Sequence, residues 1–168
     1  MKWQIQLVMM IMLVSCHPDK NKTISRDELS FKTSDASELY FKNVRQSDYH
    51  IEERPEAGMN IFRLEEFTLA GKLQPAIIIN WRNDMAFFYF EQESETQESN
   101  FEIDFQGEKR SFDLSNQKNH AELARQLYNA VLENKEMKVL DEVVFGSAEE
   151  RETFRRMYFD YLRLVDIR

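Results

Sequence analysis

At Ser115 the spacing of apolar residues changes: before it they alternate or run in short blocks, and after it they recur every three or four positions. Side chains of a strand repeat with period 2 and those of a helix with period 3.6, so this change divides the chain into a β-rich first part and a helical last part. The spacing predicts strands over 39–45, 60–67, 76–81, 86–92, 101–106 and 110–114. Ile77, Ile78 and Ile79 and, opposite them, Phe87, Phe88, Tyr89 and Phe90 are apolar on both faces, which places these two strands centrally. The connection 82–85 centres on Asn83-Asp84, residues that tolerate the positive φ of a tight turn. In the next hairpin, a two-residue turn at Gly107-Glu108 pairs Phe105 with Arg110, Ile103 with Phe112 and Phe101 with Leu114, and turns Glu102 and Asp104 to the other side as a solvated face.

Beyond Ser115, Ala121, Ala124, Leu127 and Val131, flanked by Leu123 and Tyr128, make one amphipathic helix of about four turns that ends at Asn134. A short strand over 137–140 leads through Val143, Val144 and Phe145 to Gly146. Ser147-Ala148-Glu149-Glu150 is a capping box, and behind it Phe154, Met157, Tyr158, Tyr161, Leu162 and Val165 form a core-facing stripe. Strands first and helices last, without βαβ alternation, predict an α+β fold: an antiparallel sheet of about five to seven strands followed by two C-terminal helices packed on one face.

Composition supports one folded unit. Thirteen Phe and six Tyr against four Gly and three Pro indicate an aromatic core with few tight turns. The net charge of −8 disfavours nucleic acid, which needs a basic surface, and no cofactor signature is present.

The first fifteen residues stand apart: Lys2 is followed by 3–14, apolar except for Gln4 and Gln6, and the run breaks at Ser15-Cys16 and then at His17-Pro18-Asp19-Lys20. A spanning helix needs about 20 apolar residues, so this reads as an export signal. Leu13-Val14-Ser15-Cys16 resembles the lipobox of bacterial lipoproteins. That resemblance covers only the leader. It implies diacylglyceryl transfer to the Cys16 thiol, cleavage between Ser15 and Cys16, and a protein held to a membrane of the cell envelope by lipid on Cys16. His17 stands where Asp retains some such proteins in the inner membrane, which points to the outer membrane. Because Cys16 is the sole cysteine, core packing must stabilise the domain without a disulfide. The expected organisation is a leader over 1–15, a lipidated flexible tether over 16–37, poor in apolar residues, and a single domain over 38–168.

Catalytic spacings are not evident: there is no HExxH pair, nucleophile elbow, P-loop or dinucleotide fingerprint, and nothing suggests a metal site. The polar, turn-rich stretch 49–58 is the best place for a binding loop, with Tyr49, His50, Glu52 and Arg54 as its candidate residues. These features suggest a lipid-anchored binding or assembly module whose partner is another envelope protein or a ligand. Two alternatives stand beside it. One is a small envelope hydrolase using His50 or His120 with a carboxylate; the other is an immunity-type lipoprotein, for which the acidic charge is suggestive. Both histidines are expected at the surface, where replacement changes stability by less than about 1 kcal/mol.

Overall fold

The computed structural model describes residues 21–64, 67–69, 73–92 and 100–167; the leader, Ser15 and Cys16 lie outside the described residues. The α+β class and the two long C-terminal helices are as expected, and the strands divide between two four-stranded antiparallel sheets. The first sheet takes β1 (His50–Arg54), β2 (Met59–Arg63), β3 (Leu73–Asn80) and β4 (Met85–Gln92) in that order. β5 (Asn100–Phe105), β6 (Glu108–Asp113), β7 (Met137–Val139) and β8 (Glu142–Val144) make the second, in the order β6-β5-β7-β8. A short helix α1 (Asp35–Tyr40) precedes the sheets; α2 (Gln117–Leu132) and α3 (Ala148–Leu164) follow β6 and β8. No described helix is long and apolar enough to cross a membrane.

One cross-strand row sets the core. Ile51, Phe62, Ile77 and Phe88 are register partners in turn across β1 to β4, so all four project from the same face. Phe88 meets Phe154, Tyr158 and Tyr161 of α3 edge-on, with ring centroids 5.9, 5.3 and 5.7 Å away. Edge-to-face pairs add about 0.5–1.5 kcal/mol each beyond area burial, so this cluster welds α3 to the first sheet. The start of α3 is fixed by the expected box: the Ser147 hydroxyl accepts the Glu150 N–H, and Glu150 accepts the Ser147 N–H.

The second hairpin turns one residue earlier than predicted. Gln106 and Gly107 take φ of 55° and 93°, so the turn is Gln106-Gly107, and Phe105 pairs with Glu108, Ile103 with Arg110 and Phe101 with Phe112. Glycine adopts the second of these conformations without the Cβ clash that disfavours it elsewhere. Each partner moves by two residues, which preserves the faces: Phe101, Ile103 and Phe105 are buried, while Glu102 is exposed and pairs with Lys109.

The stretch 39–45, predicted as a strand, is helical. Ser34 caps α1 by accepting the Ser37 N–H, and a π-helical turn, Phe41–Arg45, continues it, burying Phe41 against Tyr49 and Phe62 and leaving Leu39 and Val44 exposed. A short apolar run of this kind does not distinguish the two periods.

The larger departure lies in 21–37, expected as part of a tether. This segment is packed as a strap. Ile24 is buried, its N–H donates to Asn129 Oδ1 at 2.8 Å, and its carbonyl accepts from Asn129 Nδ2 at 2.8 Å and Arg125 Nη1 at 2.9 Å. Farther along, the Ser30 carbonyl accepts the Tyr161 hydroxyl at 3.0 Å. The Ala86 N–H donates to the Phe31 carbonyl and the Thr33 N–H to the Asp84 carbonyl, both at 2.8 Å, which covers one end of the outer edge of β4. Ser37 Oγ then donates to the carbonyl of Leu164 at 2.8 Å, and the Arg163 guanidinium lies 4.0 Å over the Tyr40 ring.

Two neighbouring tyrosines of α3 give opposite expectations. The Tyr161 hydroxyl holds the strap, whereas the buried Tyr158 hydroxyl has no hydrogen-bond partner among the described residues. Tyr161→Phe should cost about 1 kcal/mol, and Tyr158→Phe should be neutral or stabilising by up to about 1 kcal/mol. Urea unfolding of both variants checks the ordering; equal losses would contradict it.

Candidate functional site

The site begins with an acid inside a helix. Met157, Asp160, Tyr161 and Leu164 follow the 3-4 spacing of a core stripe, and Asp160 is accordingly 5% exposed. A buried carboxylate must be hydrogen-bonded or paired. Here Arg45 Nε donates to both of its oxygens, at 2.9 and 3.0 Å, and the Tyr49 hydroxyl donates at 2.8 Å. Burial pushes the Asp160 carboxyl above the usual carboxylate value, while Tyr49 and Arg45 pull it back. Burial, and then the neighbouring Asp160, raise the Tyr49 phenol far above its ordinary value, so it remains a hydrogen-bond donor. Arg45 Nη2 also lies 2.9 Å from Asp48, which faces Arg156 at 3.6 Å. The chain leaving α1 is thereby fastened along α3.

Where this return leg meets the N-terminus of α3, it opens a cleft of about 800 Å³. Tyr49, Ile51, Leu64 and Phe67 give it apolar walls, and Ser47, Asp48, His50, Glu149, Glu150 and Thr153 give it a polar lining. A second recess of about 250 Å³ shares Asp48, Tyr49, Leu64 and Thr153 and reaches Arg45 and Arg156. Apolar walls with a few fixed polar groups are the usual make-up of a small-ligand or peptide site. Residues two apart on a helix point about 200° apart. Tyr158 contacts Tyr128 of α2, with ring centroids 4.8 Å apart, and Asp160 contacts Arg45 and Tyr49, so α2 and the cleft-bearing leg flank α3 on opposite sides.

The expected binding loop is in fact the strand β1 with its turn, 55–58, and its candidate residues part company. Tyr49 and His50 line the cleft. Glu52 and Arg54 belong to an ion network instead: Glu52 accepts from Arg54 Nε at 2.5 Å and from Arg63 Nη1 at 2.8 Å, and Arg63 also forks onto Glu91 of β4. β3 places the small Ala76 opposite Arg63, leaving room for that reach. Asp160 and Arg45 were not legible as site residues; the available signal was an acid on an apolar helical stripe.

His120 is not a surface residue but a joint between the two sheets. It is 1% exposed and stacks on Tyr89 at 3.9 Å between ring centroids. Its Nδ1 accepts the Phe90 N–H of β4 at 3.2 Å, and its Nε2–H donates to the Leu114 carbonyl just beyond β6 at 2.7 Å. Both nitrogens are thus committed to backbone, with the proton on Nε2. Among the described residues no group of three or more His, Cys, Asp or Glu is placed to hold a metal. The chain matches no protein-family model, no curated protein and no solved structure.

Burial lowers the His120 pKa from the ordinary 6.5. Protonation would set a second N–H against the Phe90 N–H, so the neutral ring is the one that fits. A histidine whose folded pKa is depressed contributes stability fully above 6.5 and loses it as pH falls toward the folded value. The wild-type thermal midpoint should therefore drop below pH 6.5 more steeply than that of His120→Gln, which has no proton to take up. His120→Ala should cost about 2–4 kcal/mol, through a cavity and two unpaired backbone groups. Parallel pH profiles for wild type and His120→Gln would refute this assignment.

Proposed function

We propose that this protein is a lipid-anchored cell-envelope binding module, tethered through Cys16 and engaging its partner at the cleft between β1 and the N-terminus of α3. The observation that carries the reading is the make-up of the cleft: apolar walls of Tyr49, Ile51, Leu64 and Phe67 beside Asp48, His50 and Glu149. Its framework is held from behind by Asp160, Arg45 and Tyr49, so it presents a shaped surface without reorganising. The partner is another envelope protein or a ligand, and the membrane contact is through lipid.

A hydrolase acting through His50 is the second reading, favoured by one observation: His50 shares the cleft with Ser47 and Asp48. His120 has no part in it, because both of its ring nitrogens are taken.

Two measurements test this function. The mature protein should carry mass beyond the polypeptide starting at Cys16 and partition into detergent, and Cys16→Ala should abolish both; a Cys16→Ala protein that is still cut after Ser15 and still floats with membranes would sink the lipid anchor. For the cleft, a pull-down from solubilised membranes should recover a partner with wild type and with a remote surface variant, Lys109→Ala, but not with Glu149→Lys or Phe67→Ser. Retention by all four proteins places the contact elsewhere, and a folded His50→Ala that still binds but has lost an activity promotes the hydrolase.

A further inference from the structure

The packed strap changes what an anchor at Cys16 can do. Among the described residues the first that is buried is Ile24, clasped through its own N–H and carbonyl by Asn129 and Arg125 of α2. From Cys16 to Ile24 there are eight peptide steps, which span at most roughly 28 Å when fully extended. A domain of this size is roughly 36 Å across, so a path around half its girth is roughly 55 Å. The leash is shorter than that path. A lipid on Cys16 therefore cannot sit in a bilayer that faces the far side of the domain.

Charge favours the same orientation. Around the clasp, Lys22 pairs with Glu28 at 2.5 Å and Arg125 with Glu122 at 2.6 Å; Arg26 lies within electrostatic reach of Glu122, and Asp27 is exposed beside it. Three cations stand against three anions on this face, in a chain whose net charge is −8. An anionic headgroup layer repels the remainder of the molecule more than it repels this patch.

We infer that the surface around Ile24, formed by the start of the strap and the outer side of α2, lies against the phospholipid bilayer that holds the anchor, and that the cleft, on the opposite side of α3, opens away from it. This rests on lipidation of Cys16. The orientation lets a partner reach the cleft without touching the membrane, and it follows from the chain length between lipid and clasp.

The test uses the full lipidated protein in phospholipid vesicles doped with a nickel-chelating headgroup lipid. Cys16 is the only cysteine, so Asp27→Cys and Glu149→Cys each give a single nitroxide site on an exposed position, one beside the clasp and one at the cleft. The Asp27 label should show a several-fold greater relaxation enhancement than the Glu149 label. A twenty-residue Gly/Ser insert between Lys20 and Asn21 should erase the difference. Equal enhancement in the original protein, or a greater one at Glu149, overturns the orientation. Protein that lacks lipid mass and stays off the vesicles removes the anchor itself, and the orientation with it; the mass spectrum of the same preparation tells the two failures apart.

Discussion

Everything in this fold depends on the burial of Phe88 against Phe154, Tyr158 and Tyr161. The cysteine-poor sequence leaves no disulfide to hold the sheet to its helix, so the aromatic cluster must do it. Phe88 is 1% exposed and the three helix rings are completely buried, which makes α3 the axis on which the remaining parts are hung. α2 packs on it through Tyr128, the strap through Tyr161, and the return leg through Asp160. Removing the Phe88 ring would forfeit about 3–5 kcal/mol, a large share of the stability of a domain this size, because that one ring meets three rings of α3 at once.

Side-chain pattern made some of this legible and left the rest silent. The two long helices were readable because their signals lie in residue identity: the Ser147 and Glu150 cap, and the stripes from Ala121 to Val131 and from Phe154 to Val165. The second hairpin was readable as to face but not as to register, since a slip of two residues leaves the same side chains inward. The strap was not readable at all. Apart from the Ser37 hydroxyl, its hydrogen bonds to the rest of the domain described above are made by main-chain groups of Ile24, Ser30, Phe31 and Thr33, and any residue supplies those. Its low apolar content suggested a tether, although Ile24 alone, with two side chains gripping its backbone, is enough to fix its start.

The candidate site divides along the same line. Tyr49 and His50 stand out in a polar stretch, and both reach the cleft; Glu52 and Arg54 stand out equally and are spent on a cross-strand ion network with Arg63. Asp160 and Arg45 are the residues that position Tyr49, and they are 115 positions apart, so no local spacing joins them. His120 shows the complementary case. A histidine on the apolar side of α2 is satisfied by two backbone groups, one in β4 and one just beyond β6, and its chemistry serves architecture: it pairs an N–H of the edge strand β4.

The strap and the cleft are one continuous piece of chain. From the clasp at Ile24 the backbone passes Tyr161, borders β4, crosses the end of α3 at Leu164, and runs back along α3 through Arg45 to Tyr49 and His50, which line the cleft. The wall of the site is thus formed by the same segment that begins at the clasp, and its stages are hydrogen-bonded in turn to α2, α3 and β4. Under the proposed lipid anchor, a pull on the chain before Ile24 would meet Asn129 and Arg125 first, whose hydrogen bonds to Ile24 engage α2 rather than the return leg. That helix is joined to α3 through the Tyr128 and Tyr158 rings, on the side of α3 away from Asp160, Arg45 and Tyr49. A domain fastened in this order holds the shape of its cleft through contacts separate from the clasp at Ile24, so under the proposed lipid anchor the leash would bear on the direction in which the cleft faces rather than on its shape.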